Sequence, residues 1–304
     1  MAFNLIMSSA NVVSGSNNSR YSYTFLNNNL TILDEAEICI SNFVIPYSWY
    51  NCTTAYNNRT FSFTFPTPAS SGVTYNFSLA EAFYSVTDIN AALQQFCILN
   101  GLYLINGSGL YVYYLTLIYN PTTYGVQVIC SLVPTSLPVG WTQPSNWVGY
   151  NATSYTTTLT ITGNNFGKII GFAAGTFPSV PSITNQSFLN TFTPLGSNIN
   201  ALVVRCSLVN NAIGVPSDIV DTIPISSTFG SNINYMPSAL KWVKLQGGTY
   251  QKIEISLVDQ NLNAINILDS NVSISMLVIN KGAPLKIQET KQEKEKEMPQ
   301  LSFR

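Results

Sequence analysis

The chain has 304 residues, a formal net charge of −1, and charged side chains at only 9% of positions, against about 25% in a typical soluble domain. Ten charges, six basic and four acidic, fall in residues 281–304, which leaves seven basic and ten acidic residues in the first 280. A body without a basic face argues against sequence-specific nucleic-acid binding, and the absence of histidine removes Ser-His-Asp and Cys-His catalysis together with imidazole metal sites.

Residues 1–20 are polar and rich in Ser and Asn, and read as an N-terminal arm. Strand signals follow at residues 21–25, 29–33, 36–51 and 60–65. The last alternates cleanly, with Phe61, Phe63 and Phe65 on one face. In "AEICISNFVIPYSWYN" (36–51) the apolar positions change phase: Ile38 and Ile40 share one face of a regular strand, while Phe43, Ile45, Tyr47 and Trp49 occupy the other. A β-bulge near Ser41 and Asn42 would re-aim such a strand, and Pro46 belongs at an edge or an irregular pairing position.

One helix is predicted in "SVTDINAALQQFCILNG" (85–101). Ser85 or Thr87 offers a cap, Asp88 stands three after Ser85, and Ile89, Leu93, Phe96 and Cys97 recur at helical spacing before Gly101. Residues 111–119 and 124–133 predict a hairpin across "NPTT". Residues 155–162 alternate, 167–172 read as a short buried strand, and 134–151 and 173–200 are long loops rich in Pro and aromatics. Strands resume at 201–209, 239–245, 252–259 and 272–279. Residues 21–280 therefore predict one all-β domain, an antiparallel sandwich or barrel with a single short helix and long loops. In residues 281–304 Lys and Glu alternate without apolar periodicity, as in a charged flexible tail, whose end carries Leu301 and Phe303, as a short docking peptide or a frayed terminus would.

Little in the chain looks chemical. Five widely spaced cysteines fit neither a disulfide framework nor a zinc pattern. Residues 1–13 lack the basic flank of a signal peptide, and no run approaches the ~20 apolar residues of a membrane span, so the expected site of synthesis is a cytoplasm. "GNNFGKI" (163–169) is one residue short of a phosphate loop and has Ile169 where Ser or Thr would hold magnesium. No metal and no cofactor is expected. Trp141 and Trp147, in one loop-rich stretch, are the candidates for an exposed contact loop or a sugar-binding platform, whereas Trp49 and Trp242 lie in strands where packing is the default.

Three segments, taken together, resemble the penton (minor capsid) proteins of virophages and polinton-like viruses, of the mavirus type. In the first, an apolar strand ends in Tyr47, Ser48 and Trp49, followed by Asn51 and by the pair Asn57 and Asn58 before the next strand. The second is the helix opening "YSVTDIN", with Asp88. The third, residues 253–281, is similar to the closing hairpin of such capsid proteins, with Asp259 and Gln260 at its turn. The resemblance implies a single jelly roll of two four-stranded sheets and no enzymatic activity. It further implies a homopentamer that forms the vertex capsomer of an icosahedral virion among capsomers of the major capsid protein, assembled in the host cytoplasm. A glycan-binding or fibre-head module using Trp141 and Trp147, and a carboxylate-only glycosidase, are the competing functions.

Overall fold

The computed structural model describes residues 2–25, 30–68 and 72–280. The chain opens with strands β1 (Ala2–Ser8), β2 (Arg20–Thr24), β3 (Leu30–Ile32) and β4 (Ala36–Pro46). There follow β5 (Thr60–Phe65), β6 (Val73–Ser78), helix α1 (Val86–Leu99), β7 (Tyr103–Ile105), β8 (Tyr111–Tyr113), β9 (Leu115–Asn120) and β10 (Gly125–Cys130). Next are β11 (Thr158–Ile161), the one-turn helix α2 (Phe166–Ile170), β12 (Gly175–Phe177) and β13 (Gln186–Leu189). The last part holds β14 (Ala201–Cys206), β15 (Ile219–Pro224), β16 (Asn232–Tyr235), β17 (Val243–Lys244), β18 (Gly248–Tyr250), β19 (Lys252–Asp259) and β20 (Ser273–Asn280).

The phase change in the longest strand is resolved as expected, by a bulge. Ser275 of β20 faces Asn42 and Met276 faces Ile40, so Ser41 is the extra residue in β4. Its hydroxyl donates to the Ser275 carbonyl at 3.1 Å. One added residue inverts the alternation. Ile38, Ile40, Phe43 and Ile45, which a regular strand would divide between two faces, therefore enter one apolar cluster, each 2% exposed or less.

Strand order then defines the architecture. One sheet runs β1-β20-β4-β16, with β17 also pairing with β4, and a second runs β15-β14-β19-β2. Renumbered along the chain, these eight strands read 1-8-3-6 and 5-4-7-2, the order of a jelly roll, and every pairing is antiparallel. Their inner faces enclose the first apolar cluster, drawn from Leu5 to Trp49 and from Ile199 to Val278. The residues between β4 and β14 form a second cluster, from Cys52 to Phe172, under the sheets β12-β11-β5-β6 and β13-β10-β9, the ribbon β7-β8 and helix α1. Residues 21–280, expected as one sandwich, thus gather their apolar side chains in two clusters, the second inserted between two strands of the jelly roll.

Four other expectations are corrected. Residues 1–20 are not a free arm: β1 pairs with β20 from Ala2 opposite Ile279 to Ser8 opposite Ser273, because Leu5 and Met7 alternate into the core at 8% and 0% exposure. The closing segment is not a hairpin, since β19 pairs with β14 and β2 while β20 pairs with β1 and β4. Residues 167–172 are not a strand. Phe166, Ile169 and Ile170 bury themselves from one helical turn, which Gly171 closes in the left-handed region at φ 78°. Of residues 239–245 only Val243 and Lys244 form a strand, and Leu245 adds a single bridge to Val209. Helix α1 keeps its expected cap: the Ser85 hydroxyl accepts from Asp88 N–H and the Asp88 carboxylate accepts from Ser85 N–H. The tail, with Leu301 and Phe303, lies outside the described residues.

Candidate functional site

The motif positions Tyr47, Ser48, Trp49, Asn51 and Gln260 converge where the chain passes between the two clusters. Tyr47 and Trp49 are 4% and 2% exposed, with ring centroids 4.5 Å apart. Tyr47 meets the edges of Phe83 and Phe229, which stack on each other at 4.5 Å with 8° between planes. Burial pushes the Tyr47 phenol above its ordinary pKa. Trp49 is thus the end of a packed corner. Its indole N–H is buried without a partner among the described residues, and Trp49 lines a cleft of about 190 Å³ together with Tyr50, Tyr56 and Glu81. The Ser48 hydroxyl accepts from Asp269 N–H at 3.0 Å.

Asn51, 3% exposed, ties the two passages together. Its amide donates to the Tyr84 and Gly196 carbonyls, both at 2.9 Å, and its side-chain oxygen accepts from Tyr84 N–H at 2.8 Å. Its own carbonyl accepts from the side chains of Asn58 at 2.8 Å and Asn198 at 3.0 Å. Gln260 extends the network, donating to Asn198 O and accepting from Asn200 N–H. Asp259 turns the chain after β19, its carboxylate accepting from the Asn261 and Asn263 N–H groups at 2.8 Å each. Asp88 sits apart at the start of α1, where bonds from the Ser85 hydroxyl and N–H hold its carboxyl below the usual range.

Trp141 and Trp147 are half-buried and pack on the second cluster. Trp147 stands edge-on to Phe65 at 5.9 Å and lies 5.2 Å from Tyr150. The loop is held against the end of α1, where Asn146 donates to Leu99 O at 3.2 Å. In this loop it is Val139 that is fully exposed.

Reactive groups are kept quiet by burial. All five cysteines are free and buried; the thiols of Cys52 and Cys130 are pushed up to about 11, and those of Cys97 and Cys206 to about 12. They are protonated at neutral pH, so none supplies a thiolate. Among the described residues no three His, Cys, Asp or Glu gather as a metal site, and no helix is long and apolar enough to cross a membrane.

The surfaces differ in chemistry, which composition averaged away. Arg20, Arg205, Asp218 and Glu254 line one groove of about 400 Å³ on the outer side of β2, β19 and β14. Arg205 forks onto Asp218 with bonds of 3.0 and 2.7 Å, and Lys252 and Arg20 both reach Glu254. Between Asp88 and Arg205, by contrast, Lys168 is the single charged residue. That stretch exposes apolar side chains instead, among them Ile118, Tyr119, Tyr124, Leu189, Phe192 and Leu195, each at least 42% exposed. The long charge-free run was the signal in the sequence that could have marked this surface.

No family model matches the chain, and no curated protein matches it. Among solved structures the chain is similar to the mavirus penton protein, with a TM-score of 0.44 and 10% identity, over 91% of this chain and 98% of that one. It is also similar to a chain of the Sputnik virophage, with a TM-score of 0.38 and 11% identity, over 92% and 98%. Both likenesses run nearly end to end.

Proposed function

We propose that the chain is a structural subunit of a viral capsid, that five copies close into the vertex capsomer of an icosahedral virion, and that this ring contacts capsomers of the major capsid protein. The observation that carries this reading is a jelly roll whose two outer faces differ. One presents the Arg20, Arg205, Lys252 and Glu254 network. The other presents Asn4, Ile6, Ser275 and Leu277 from β1 and β20, uncharged positions that alternate with the buried Leu5, Met7, Ile274 and Met276, and its strands carry charge only at Glu37 of β4 and Lys244 of β17. Unlike sides suit heterologous contacts, which close into rings. The body also lacks the mixed charge that keeps an ordinary monomer apart from its copies. Its work in this reading is assembly, not catalysis, and its place is the virion. Glycan binding through Trp141 and Trp147 needs open indole faces, and both rings are half-buried.

Native mass spectrometry of the purified protein tests the reading, with a particle of five 33.3 kDa chains expected. A chain that stays monomeric at high concentration and fails to co-assemble with the major capsid protein would overturn it.

A further inference from the structure

We infer that the apolar cleft at the waist of the molecule, between the β9–β10 hairpin and the loop after β13, is covered by a second copy of this chain. The inference rests on the ring reading above and names the surface through which neighbours meet. The cleft holds about 220 Å³ and is lined by Phe83, Tyr84, Val86, Tyr119, Tyr124 and Pro194, among others. Phe83 packs on the first apolar cluster while Tyr84 and Val86 pack on the second, so the cleft lies on the side where the two meet, not at either end.

Exposure around it is high. Tyr124 is 66% exposed, and Tyr119, Phe192 and Leu195 are 42% each. Tyr119 and Tyr124 meet edge-on at 6.3 Å, a pair held in place before any partner arrives. These four side chains present on the order of 450 Å² of largely apolar surface, judged from the area that large side chains carry. A standard interface buries about 800 Å² per partner, of which roughly 56–65% is apolar. The patch therefore matches the apolar share of one such interface.

Charge points to a like partner. Residues 89–167 and 169–204 contain no charged side chain, and Lys168, exposed on α2, makes no ion pair among the described residues. A strongly charged partner would find only Lys168 and the Ser85-bonded Asp88 to pair with at the margin of the cleft. An equally uncharged neighbouring copy desolvates few charges on arrival, as interface cores require.

The test is the double substitution Tyr124→Asp with Leu195→Asp, made at exposed positions, with assembly followed by mass photometry and native mass spectrometry. The expected result is a rise of at least 10-fold in the concentration at which half the chain is assembled, with an unchanged melting temperature. Hydrogen exchange on the wild type serves as the second measurement. Amides of residues 119–124 and 192–195 should slow at least 10-fold between dissociated and assembled protein. A variant that assembles at the wild-type concentration, or protection confined to other faces, overturns this surface and leaves the ring standing. Protection that appears only when major capsid protein is added also overturns it, in favour of that partner. A wild type that never assembles refutes the ring itself.

Discussion

Replacing Asn51 by Ala tests whether the asparagine network at the junction holds the two β units together. The substitution removes three hydrogen bonds of a side chain that is 3% exposed, and leaves Tyr84 N–H, Tyr84 O and Gly196 O without it. A hydrogen bond contributes about 1 kcal/mol net, and an orphaned buried group costs about 1–3 kcal/mol. Those backbone partners are partly reachable by water, which favours the lower figure, so the loss totals about 3 kcal/mol. With an unfolding entropy of about 2.1 cal/mol/K per residue, that is roughly 5 °C of melting temperature for a chain of 304 residues. Differential scanning calorimetry reads the shift, and chymotrypsin should cut faster at Tyr50 and Tyr84 in the variant. The isosteric Asn51→Asp separates hydrogen bonding from packing. A carboxylate facing the Tyr84 and Gly196 carbonyls donates to neither, so the folded state favours its protonated form and raises its pKa above the unfolded value of about 3.9. The native state then binds more protons than the unfolded one, and stability falls as pH rises between those two values. The Asp variant should recover part of its deficit as pH is lowered towards 4. A melting-temperature loss below about 2 °C in Asn51→Ala, or no pH dependence of the Asp deficit, would refute the reasoning.

Three further outcomes follow from the same structure. Gly101→Ala places a residue at φ +66° with its Cβ driven against the Asn146 carbonyl, so it should destabilise by about 2 kcal/mol or more in urea titration and shift Trp147 fluorescence. Ser85→Ala removes a helix cap and should cost about 1 kcal/mol. In the wild type the depressed Asp88 pKa means that its contribution is present above about 3.9 and lost as pH falls through the lower folded value, a slope that the Ser85→Ala variant should lack. A thiol reagent at pH 8 should label none of the five cysteines within minutes in the native state and all five after denaturation; rapid labelling of native protein would contradict their burial.

What could be read from the residues was local. The Ser41 bulge was legible because six apolar positions broke a period of two, and α1 because its cap, its apolar face and its terminal glycine agreed with one another. Residues 1–20 misled because their Ser and Asn outnumber the alternating Phe3, Leu5 and Met7. The pairing of β20 with β1 and β4, rather than with β19, depends on contacts more than two hundred residues apart in sequence. No local pattern encodes such a choice. The inserted unit was invisible for a related reason. A linker announces itself by Gly, Pro or charge, whereas the two passages here are packed and bonded through Trp49, Asn51, Asn198 and Gln260.

The division of charge carries the functional argument furthest. Only four of the seventeen charged residues before residue 281, namely Arg59, Glu81, Asp88 and Lys168, fall between residues 52 and 198. Arg59 and Glu81 lie 3.5 Å apart and Asp88 caps α1, so Lys168 alone has no local assignment. A surface so neutral offers little repulsion between copies, and a free chain bearing it would self-associate without register. The jelly roll holds the other thirteen charges, many of them in paired sets such as Arg205 with Asp218 and Lys241 with Asp221. Fixed charge on one unit can set the orientation of neighbours, because like charges brought together cost several kcal/mol. In the proposed ring, neutral apolar surface on the other would supply the area that holds them. Neither unit alone would then build a defined ring: the jelly roll without the insert would hold its copies weakly, and the insert without the jelly roll would aggregate.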